Sequence, residues 1–298
     1  MQITSTAKQR ERKEKFVHFI LFCFGCISIV TTIGIVLTLG IEAFSFFQEV
    51  SIVDFLTDSQ WTPLFSDKHF GIAPLICGTF LTSIIALLIA LPLGLLVAVY
   101  LSEFASETSR KLLRPLIELL AGIPTVVYGY FALIFVTPLL QILLPDLSGF
   151  NALSAGLVMG FMILPMVASL SEDALYSVPQ SLKEGAYALG CNRLQMTFKV
   201  LIPAAFSGIT AAFILAMSRA IGETMIVAIA AGQQPLLTLN PLSAVETMTA
   251  FIVQVSLGDT PHGTLEYKTI FAVGSMLFVL TLVLNSISFI IRKKVQWK

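Results

Sequence analysis

The sequence has 298 residues, of which 56% are hydrophobic and only 12% are charged, with a formal net charge of zero and a mean hydropathy of +0.88. So few charged side chains cannot cover the surface of a soluble domain, which excludes that class of protein. The composition predicts an all-α, polytopic membrane protein, because helices satisfy their own backbone polar groups in lipid, and it gives no support to nucleic-acid binding.

The chain starts with a predicted basic tail over residues 1–15, followed by a charge-free run over 16–40. This run is long enough to cross a bilayer with some tilt. It is too long for a secretory signal peptide and no small-x-small cleavage site closes it, so we interpret it as an uncleaved first span. With the acidic outer loop expected over 41–70, where Trp61 is interpreted as an interfacial aromatic residue, it forms the predicted unit 16–70.

A membrane core with five further spans is predicted over residues 71–291, before a second basic tail over 292–298. These spans are expected at 71–102, 116–144, 151–170, 204–231 and 269–291. The prediction is therefore a bundle of six transmembrane helices.

The third span contains a group of residues that are expected to kink its helix and to permit close packing, namely Gly122, Pro124 and Gly129. A kink at Pro124 would free a backbone carbonyl, which could line a passage or only shape the bundle. Glu118, near the inner end of this span, could bind basic residues or cap the entrance.

The stretch 171–203 is a polar interruption between the fourth and fifth spans. Ser177 and Gln180 have the spacing of a capping box, which predicts a short helix that ends at Gly190. Another helix should follow the glycine turn, because a second pair of cap residues is present. That pair is Asn192 with Gln195.

The spacing within this stretch resembles a signature of the membrane subunits of bacterial ATP-driven importers. The signature is E-A-A, three residues, G, nine residues and I-x-L-P, and here it reads Glu184-Gly185-Ala186, Gly190 and Val200-Leu201-Ile202-Pro203. Gly185 stands for the first alanine and Val200 for isoleucine. The resemblance implies a cytoplasmic coupling helix seated in a groove of a separate ATPase subunit; the residues alone also allow an ordinary capped loop.

Arg219 and Glu223 are four residues apart in the fifth span, where this spacing predicts that they share one face of the helix. Each charge at the bilayer centre costs about 2.5 to 3.5 kcal/mol, so both are expected to face the bundle interior or water. They could form an ion pair that pins the helix. Alternatively they mark a substrate pathway, in which Arg219 contacts an oxyanion and Glu223 holds the guanidinium in place.

The segment 232–268 has three prolines and an apolar middle that is too short and interrupted for a seventh span. A re-entrant or surface helix is expected there. The outer loops could dock a soluble solute-binding protein or form a lid over the bundle.

Lys and Arg are distributed unevenly along the chain, with 15 of the 18 in the two tails, the loop after the second span and the stretch 171–203. Cytoplasmic loops carry this excess, so both termini are expected in the cytoplasm.

Several catalytic signatures are absent from the sequence, including G-x-x-x-x-G-K-[ST], H-E-x-x-H and G-x-S-x-G. We therefore predict no catalytic residue, no metal site and no bound cofactor, with ATP held by a partner chain. The four cysteines suggest no disulfide framework and are interpreted as packing residues.

A wider resemblance rests on FGIAPLICGTFLTS, IALPLGLLVAVYLSEFAS, IELLAGIPTVVYGYFAL and SRAIGET. From about residue 61 to the C-terminus the chain is similar to the PstC-type permease family of bacterial phosphate ABC importers. The resemblance implies the type I ABC importer permease fold, inorganic phosphate as substrate and the bacterial inner membrane as location. It also implies three partners: a related PstA-like permease, two copies of an ATPase subunit and an extracytoplasmic phosphate-binding protein.

Two alternatives remain open from the sequence. A permease for sulfate, molybdate, phosphonate or a polyamine would share the coupling signature. A stand-alone secondary transporter or channel would need no ATPase.

Overall fold

The computed structural model describes residues 3–295, with side chains from 14 to 290, so most of the two predicted basic tails, 1–15 and 292–298, lies outside the described side chains. The helices, in chain order, are α1 (Ile3–Phe47), α2 (Ile52–Thr57), α3 (Ala73–Val99), α4 (Glu107–Ala121), α5 (Thr125–Phe131), α6 (Thr137–Leu143), α7 (Ala152–Tyr176), α8 (Gln180–Ala188), α9 (Arg193–Met196), α10 (Ile202–Ala204), α11 (Phe206–Ile221), α12 (Met225–Ala230), α13 (Met248–Leu257) and α14 (Leu265–Val295). Three π-helical turns join neighbouring helices, at Tyr100–Phe104, Ala132–Val136 and Thr197–Leu201.

Within the described residues, five helical stretches are long and apolar enough to cross a membrane, and a pair of helices bent by 69° gives a sixth if it counts as one span. They are Glu14–Phe47, Ala73–Phe104, Thr125–Leu143, Ala152–Tyr176, the bent pair Arg193–Ala204 with Phe206–Ile221, and Leu265–Ile290. The all-α fold with six predicted crossings is confirmed, although two of the crossings follow a different course.

The third expected span, 116–144, is wrong in its first part. α4 ends at Ala121, Gly122 closes it, and Pro124 has extended backbone with φ −59° and ψ 138° before α5 begins. Proline lacks an N–H group and its ring clashes with the preceding turn. The helix therefore breaks where a kink was expected, and the crossing starts at Thr125.

The break also determines the contacts of the Leu120 carbonyl and the Glu118 carboxylate, which were both assigned to the span. The Leu120 carbonyl cannot accept from residue 124, because proline has no N–H group, and instead it accepts hydrogen bonds from the Tyr128 hydroxyl at 2.7 Å and from the Ile123 amide at 3.4 Å. Glu118 lies outside the crossing, on α4, where its carboxylate is 3.2 Å from Nε of Arg114.

The fifth expected span, 204–231, is interrupted twice. The chain bends between α10 and α11, and α11 ends before a second break at Gly222. Glycine favours helix poorly, and the Glu223 carboxylate accepts hydrogen bonds from two N–H groups at the start of α12, the nearer being that of Met225 at 3.1 Å. A new helix begins there instead of the old one continuing.

The centre of the bundle is the pair α3 and α7, which contact each other along their length. Their backbones approach closely because glycines face the contact. A Cβ atom added at Gly94 would come within 2.7 Å of Val167, and one added at Gly156 within 2.7 Å of Ile85. Small residues allow membrane helices to pack in this way, and the result is a closely fitted framework.

Trp61 lies at the end of the bundle that contains α13, and its interpretation as an interfacial residue is wrong. Trp61 is 1% exposed and packs edge-on against Phe55 of α2 and Phe251 of α13, with ring centroids 6.2 and 5.0 Å away. Such aromatic pairs bury large areas, so α2 and the residues after it are fastened over α13. α13 itself is the short helix expected within 232–268.

Candidate functional site

The start of α8 differs from the prediction that Ser177 and Gln180 form a capping box. The Ser177 hydroxyl donates a hydrogen bond to the Ala174 carbonyl at 2.7 Å and so closes α7, which runs beyond its expected end at residue 170. Pro179 occupies the cap position of α8, with φ −57° and ψ 135° and no side-chain cap. Proline's fixed φ suits this position, so the helix begins without the serine.

The end of α8 is the predicted one. Gly190 has φ +82°, and the N–H groups of Gly190 and Cys191 donate to the carbonyls of Tyr187 and Ala186 at 2.9 and 3.1 Å. This is the Schellman pattern, in which a glycine takes the left-handed conformation that other residues avoid. The prediction that Gly190 ends the helix is confirmed.

The second capping pair is also confirmed. Asn192 Oδ1 accepts from the Gln195 amide at 2.8 Å, and Gln195 Oε1 accepts from the Asn192 amide at 3.0 Å. The chain continues from α9 through the π-helical turn Thr197–Leu201 into α10, which contains the exposed Pro203.

We call residues 180–196 the α8–α9 segment. One side of it is buried: Ala186 is 5% exposed and Met196 is fully buried, and both belong to a hydrophobic cluster with Ala98 at the end of α3. Of the residues in the importer-like signature, Ala186 therefore anchors the segment to the bundle.

The other side of the α8–α9 segment is exposed and does not pack against the described part of the chain. Glu184 and Gly185 are exposed there, and a Cβ atom added at Gly185 would meet nothing within 4 Å. Large apolar side chains continue this surface, with Leu189 at 87% exposure the most prominent. The others in the segment are Leu182, Tyr187 and Leu194, and Phe198 follows in the next turn. An exposed apolar surface with a polar rim is typical of a protein-binding site.

Arg219 lies near the end of α11, within the bent span, and its side chain is exposed. Its Nη2 is 3.4 Å from the sulfur of Met162 on α7, and no carboxylate lies within 4 Å among the described side chains. A cation in this position is available to an anion.

Glu223 is buried and serves the backbone, since its carboxylate caps α12 and its carbonyl accepts from the Thr249 hydroxyl of α13 at 2.8 Å. The expectation that Arg219 and Glu223 share one helix face is wrong, because the break at Gly222 separates them. The structure therefore does not join them as an ion pair.

The three residues assigned to a kink play different parts. Gly122 and Pro124 form the break between α4 and α5. Gly129 lies buried inside α5, where an added Cβ atom would come within 3.0 Å of the Ile229 side chain on α12. Gly129 thus permits the close packing that was expected of it.

Four charged residues that are buried or largely buried were not singled out from the sequence. Glu103 and Lys183 meet as an ion pair between the end of α3 and α8, and Glu172 on α7 and Glu246 just before α13 are each 2% exposed. The only sequence signal was an acidic residue beside an apolar stretch.

Within residues 14–290, no group of three or more His, Cys, Asp or Glu side chains comes together in a way that could hold a metal ion. The four cysteines, at positions 23, 26, 77 and 191, are free thiols. What the described surface offers is an apolar contact face at the α8 end of the bundle and a cation within the spans.

Comparison with known proteins adds a family and several relatives. A family profile described as "binding-protein-dependent transport system inner membrane component" matches residues 90–297. The "probable ABC transporter permease protein YqgH" of Bacillus subtilis is 36% identical over 94% of this chain and 91% of its own. The "phosphate transport system permease protein PstC" of Mesorhizobium japonicum is 34% identical over 78% of this chain and 76% of its own.

Solved structures show a similar fold at low identity. A bacterial ABC transporter that imports the acidic polysaccharide alginate has a chain that matches 97% of this one and 100% of its own, with a TM-score of 0.67 and 17% identity. The MetNI methionine ABC transporter in an inward-facing conformation matches 76% of this chain and 95% of its own, with a TM-score of 0.56 and 18% identity. The fold is that of the type I ABC importer permeases.

Proposed function

This chain belongs to the binding-protein-dependent transport system inner membrane component family, and on that premise we propose that it is the permease subunit through which an ATP-driven importer moves inorganic phosphate across the membrane. The observation that supports phosphate as the substrate is the likeness to phosphate transport permeases, which are 31 to 34% identical to this chain over most of its length. The chain itself performs no catalysis in this proposal. ATP binds to a separate subunit.

The α8–α9 segment is the proposed coupling site. Its apolar surface, built around Leu189 and flanked by Glu184 and Gly185, has the exposure that a docked ATPase subunit would cover. Its buried side, with Ala186, would pass the displacement of that subunit into the bundle. Gly190 gives the segment its fixed turn, and Pro203 lies just before the bend into α11.

Phosphate is proposed to pass near Arg219. A guanidinium that lacks a carboxylate partner among the described residues can make charge-assisted hydrogen bonds to a phosphate oxygen. Glu223 contributes by holding the start of α12 against α13, next to this position. Among the alternatives, no contact in the described residues favours another oxyanion or a secondary transporter.

The proposed assembly has the α8–α9 segment and both termini in the cytoplasm, because 15 of the 18 Lys and Arg lie in the corresponding loops and tails. Lys183, Arg193 and Arg110 lie at this same end of the described bundle. A related PstA-like permease would complete the pathway, two ATPase subunits would dock below, and an extracytoplasmic phosphate-binding protein would deliver the substrate at the α13 end.

The direct test is uptake of radiolabelled phosphate by proteoliposomes that contain this chain with the partner subunits. Uptake should require ATP inside the vesicles and the binding protein outside them, and excess sulfate should not compete. Uptake without the ATPase subunit would indicate a secondary transporter instead. Inhibition by sulfate to the extent seen with unlabelled phosphate would point to a broader oxyanion permease.

A further inference from the structure

A buried ion pair fastens α8 to the end of α3. Lys183 Nζ lies 2.6 Å from Glu103 Oε1, and the two side chains are only 13% and 8% exposed. The same carboxylate oxygen accepts a hydrogen bond from the Ser102 hydroxyl at 3.0 Å. The ion pairs within α4, such as Lys111 with Glu107, are by contrast largely exposed.

The acidic partner is held by an unusual turn of backbone. Glu103 belongs to the π-helical turn Tyr100–Phe104, which continues α3, and the turn closes with a hydrogen bond from the Ala105 amide to the Tyr100 carbonyl at 2.7 Å. π-Helical turns are rare and occur often at functional sites. Arg110 fixes this one from α4, because its guanidinium donates to the carbonyls of Leu101 and Ser102.

A second contact attaches α9 to the same turn. The Arg193 guanidinium lies over the Phe104 ring, with Cζ 5.0 Å from the ring centroid, which is a cation–π distance. Lys183 and Arg193 lie on opposite sides of the Gly190 turn, whereas their partners Glu103 and Phe104 are adjacent. Both halves of the α8–α9 segment are thus tied to one turn at the end of α3.

A displacement of the α8–α9 segment could also be transmitted along the chain to α11, but this route is less direct. Along the chain it passes through the π-helical turn Thr197–Leu201 and then the 69° bend before α11. α3, in contrast, is fitted closely to α7 where Gly94 meets Val167. The contacts at Glu103 and Phe104 therefore connect the α8–α9 segment to a stiff helix pair without crossing the bend before α11.

We propose that Lys183 and Glu103 are positioning residues that couple displacement of the α8–α9 segment to α3, and through α3 to α7. The inference rests on the proposed function, since it assumes that an ATPase subunit moves the segment. Replacing a buried pair of this kind by apolar residues is often neutral for stability, whereas losing one partner leaves the other charge buried alone.

The test compares the number of phosphate ions imported per ATP hydrolysed in proteoliposomes that contain the complete transporter. Lys183→Met and Glu103→Gln should each lower this ratio by about fivefold or more, the usual lower range of coupling between sites, while ATP hydrolysis continues. Exchanging the charges, with Glu103→Lys and Lys183→Glu together, should bring the ratio back to within about twofold of the wild type.

The exposed pair on α4 gives the matched control. Its side chains are 81% and 90% exposed and 3.8 Å apart, so Lys111→Met and Glu107→Gln should leave the ratio unchanged. If a single variant at the buried pair fails to assemble, Glu103→Asp takes its place; it keeps the charge but shortens the reach, and it should also lower the ratio.

A wild-type ratio in the assembled single variants, or in Glu103→Asp where it replaces them, would overturn the proposal. So would an exchanged pair that assembles but stays as uncoupled as the single variants. Either result would leave the proposed function standing, since the wild-type transporter in the same assay would still import phosphate with ATP. Failure of the wild type to do so would contradict the proposed function itself.

Discussion

Arg219 and Glu223 have the same sequence signal, a charge within an apolar run, but the structure treats them differently. Glu223 satisfies its carboxylate with backbone amides of α12, whereas the Arg219 guanidinium has only the sulfur of Met162 as a polar contact in the described part of the chain. A charge in a membrane span is costly to keep, by about 2.5 to 3.5 kcal/mol on insertion scales. The unpaired cation is therefore the residue to which we assign contact with the anion.

Replacing Arg219 by alanine should abolish phosphate uptake, because the charge-assisted hydrogen bonds to the substrate would be lost. Arg219→Lys should retain a small part of the uptake, since it keeps the charge but not the two-pronged geometry. Uptake and co-purification of the partner subunits are measured together. The control is Arg114→Ala, which removes an arginine from a half-exposed pair with Glu118 and should leave uptake intact. Normal uptake by an assembled Arg219→Ala transporter would contradict the assignment.

At the scale of single helices, α8 and the turn that ends it contain two glycines with opposite roles. Gly190 has φ +82° and closes the helix, whereas Gly185 lies within it, exposed, with open space around its Cα. Alanine at position 190 would have to adopt a left-handed conformation that costs about 1 to 2 kcal/mol. Alanine at position 185 should instead stabilise the helix by about 0.5 to 1 kcal/mol.

Hydrogen exchange of the α8 amides in the purified transporter measures both effects. Protection should fall in Gly190→Ala and rise in Gly185→Ala, and the two variants serve as controls for each other because each adds one methyl group to the same segment. Equal protection in both would mean that the glycine turn does not set the stability of α8.

The sequence predicts a helix boundary well when a few neighbouring residues determine it, and poorly when they do not. The predictions that Gly190 ends α8 and that Asn192 and Gln195 cap α9 were correct, because the end of a helix is determined by a few neighbouring residues. At Pro124 only a kink was expected where the helix breaks, and the break at Gly222 was missed, since an apolar run continues across both positions and hydropathy carries no information on backbone angles. Hydropathy falls after residue 170, yet α7 continues to Tyr176 with Glu172 buried within it.

The candidate site shows the same limit. The exposed residues of the importer-like signature could be found from spacing, because they follow one another along the chain. Lys183 and Glu103 could not, because they are 80 residues apart and meet only when α8 packs beside the end of α3. Trp61 was misplaced for the same reason, since only the folded chain brings α13 against it.

At the scale of the whole molecule, the α13 end of the bundle has a half-open pocket of about 330 Å³ beside its aromatic packing. Trp61 and Phe251 line this pocket, as does Glu246, whose Oε1 has no hydrogen-bond partner among the described residues. Gly78 lets the Glu246 backbone lie close to α3, where an added Cβ atom would come within 2.2 Å of the Glu246 carbonyl oxygen. The position of this carboxyl group thus depends on how α3 and the residues before α13 pack together.

Burial raises the pKa of Glu246 from its ordinary value of 4.5 to about 8. Between these two pH values the folded protein keeps a proton that the unfolded chain has released. The free energy of unfolding is therefore full below about pH 4.5 and falls by at most about 1.4 kcal/mol per pH unit as the pH rises to about 8.

Glu246→Gln should remove this pH dependence of the stability. Its thermal midpoint in the purified transporter should match the wild type near about pH 5 and exceed it by several degrees near about pH 9. Glu118→Gln, at an exposed site on α4, should follow the wild type throughout. Parallel pH curves for Glu246→Gln and the wild type would show that the buried carboxyl group does not weaken the fold at high pH.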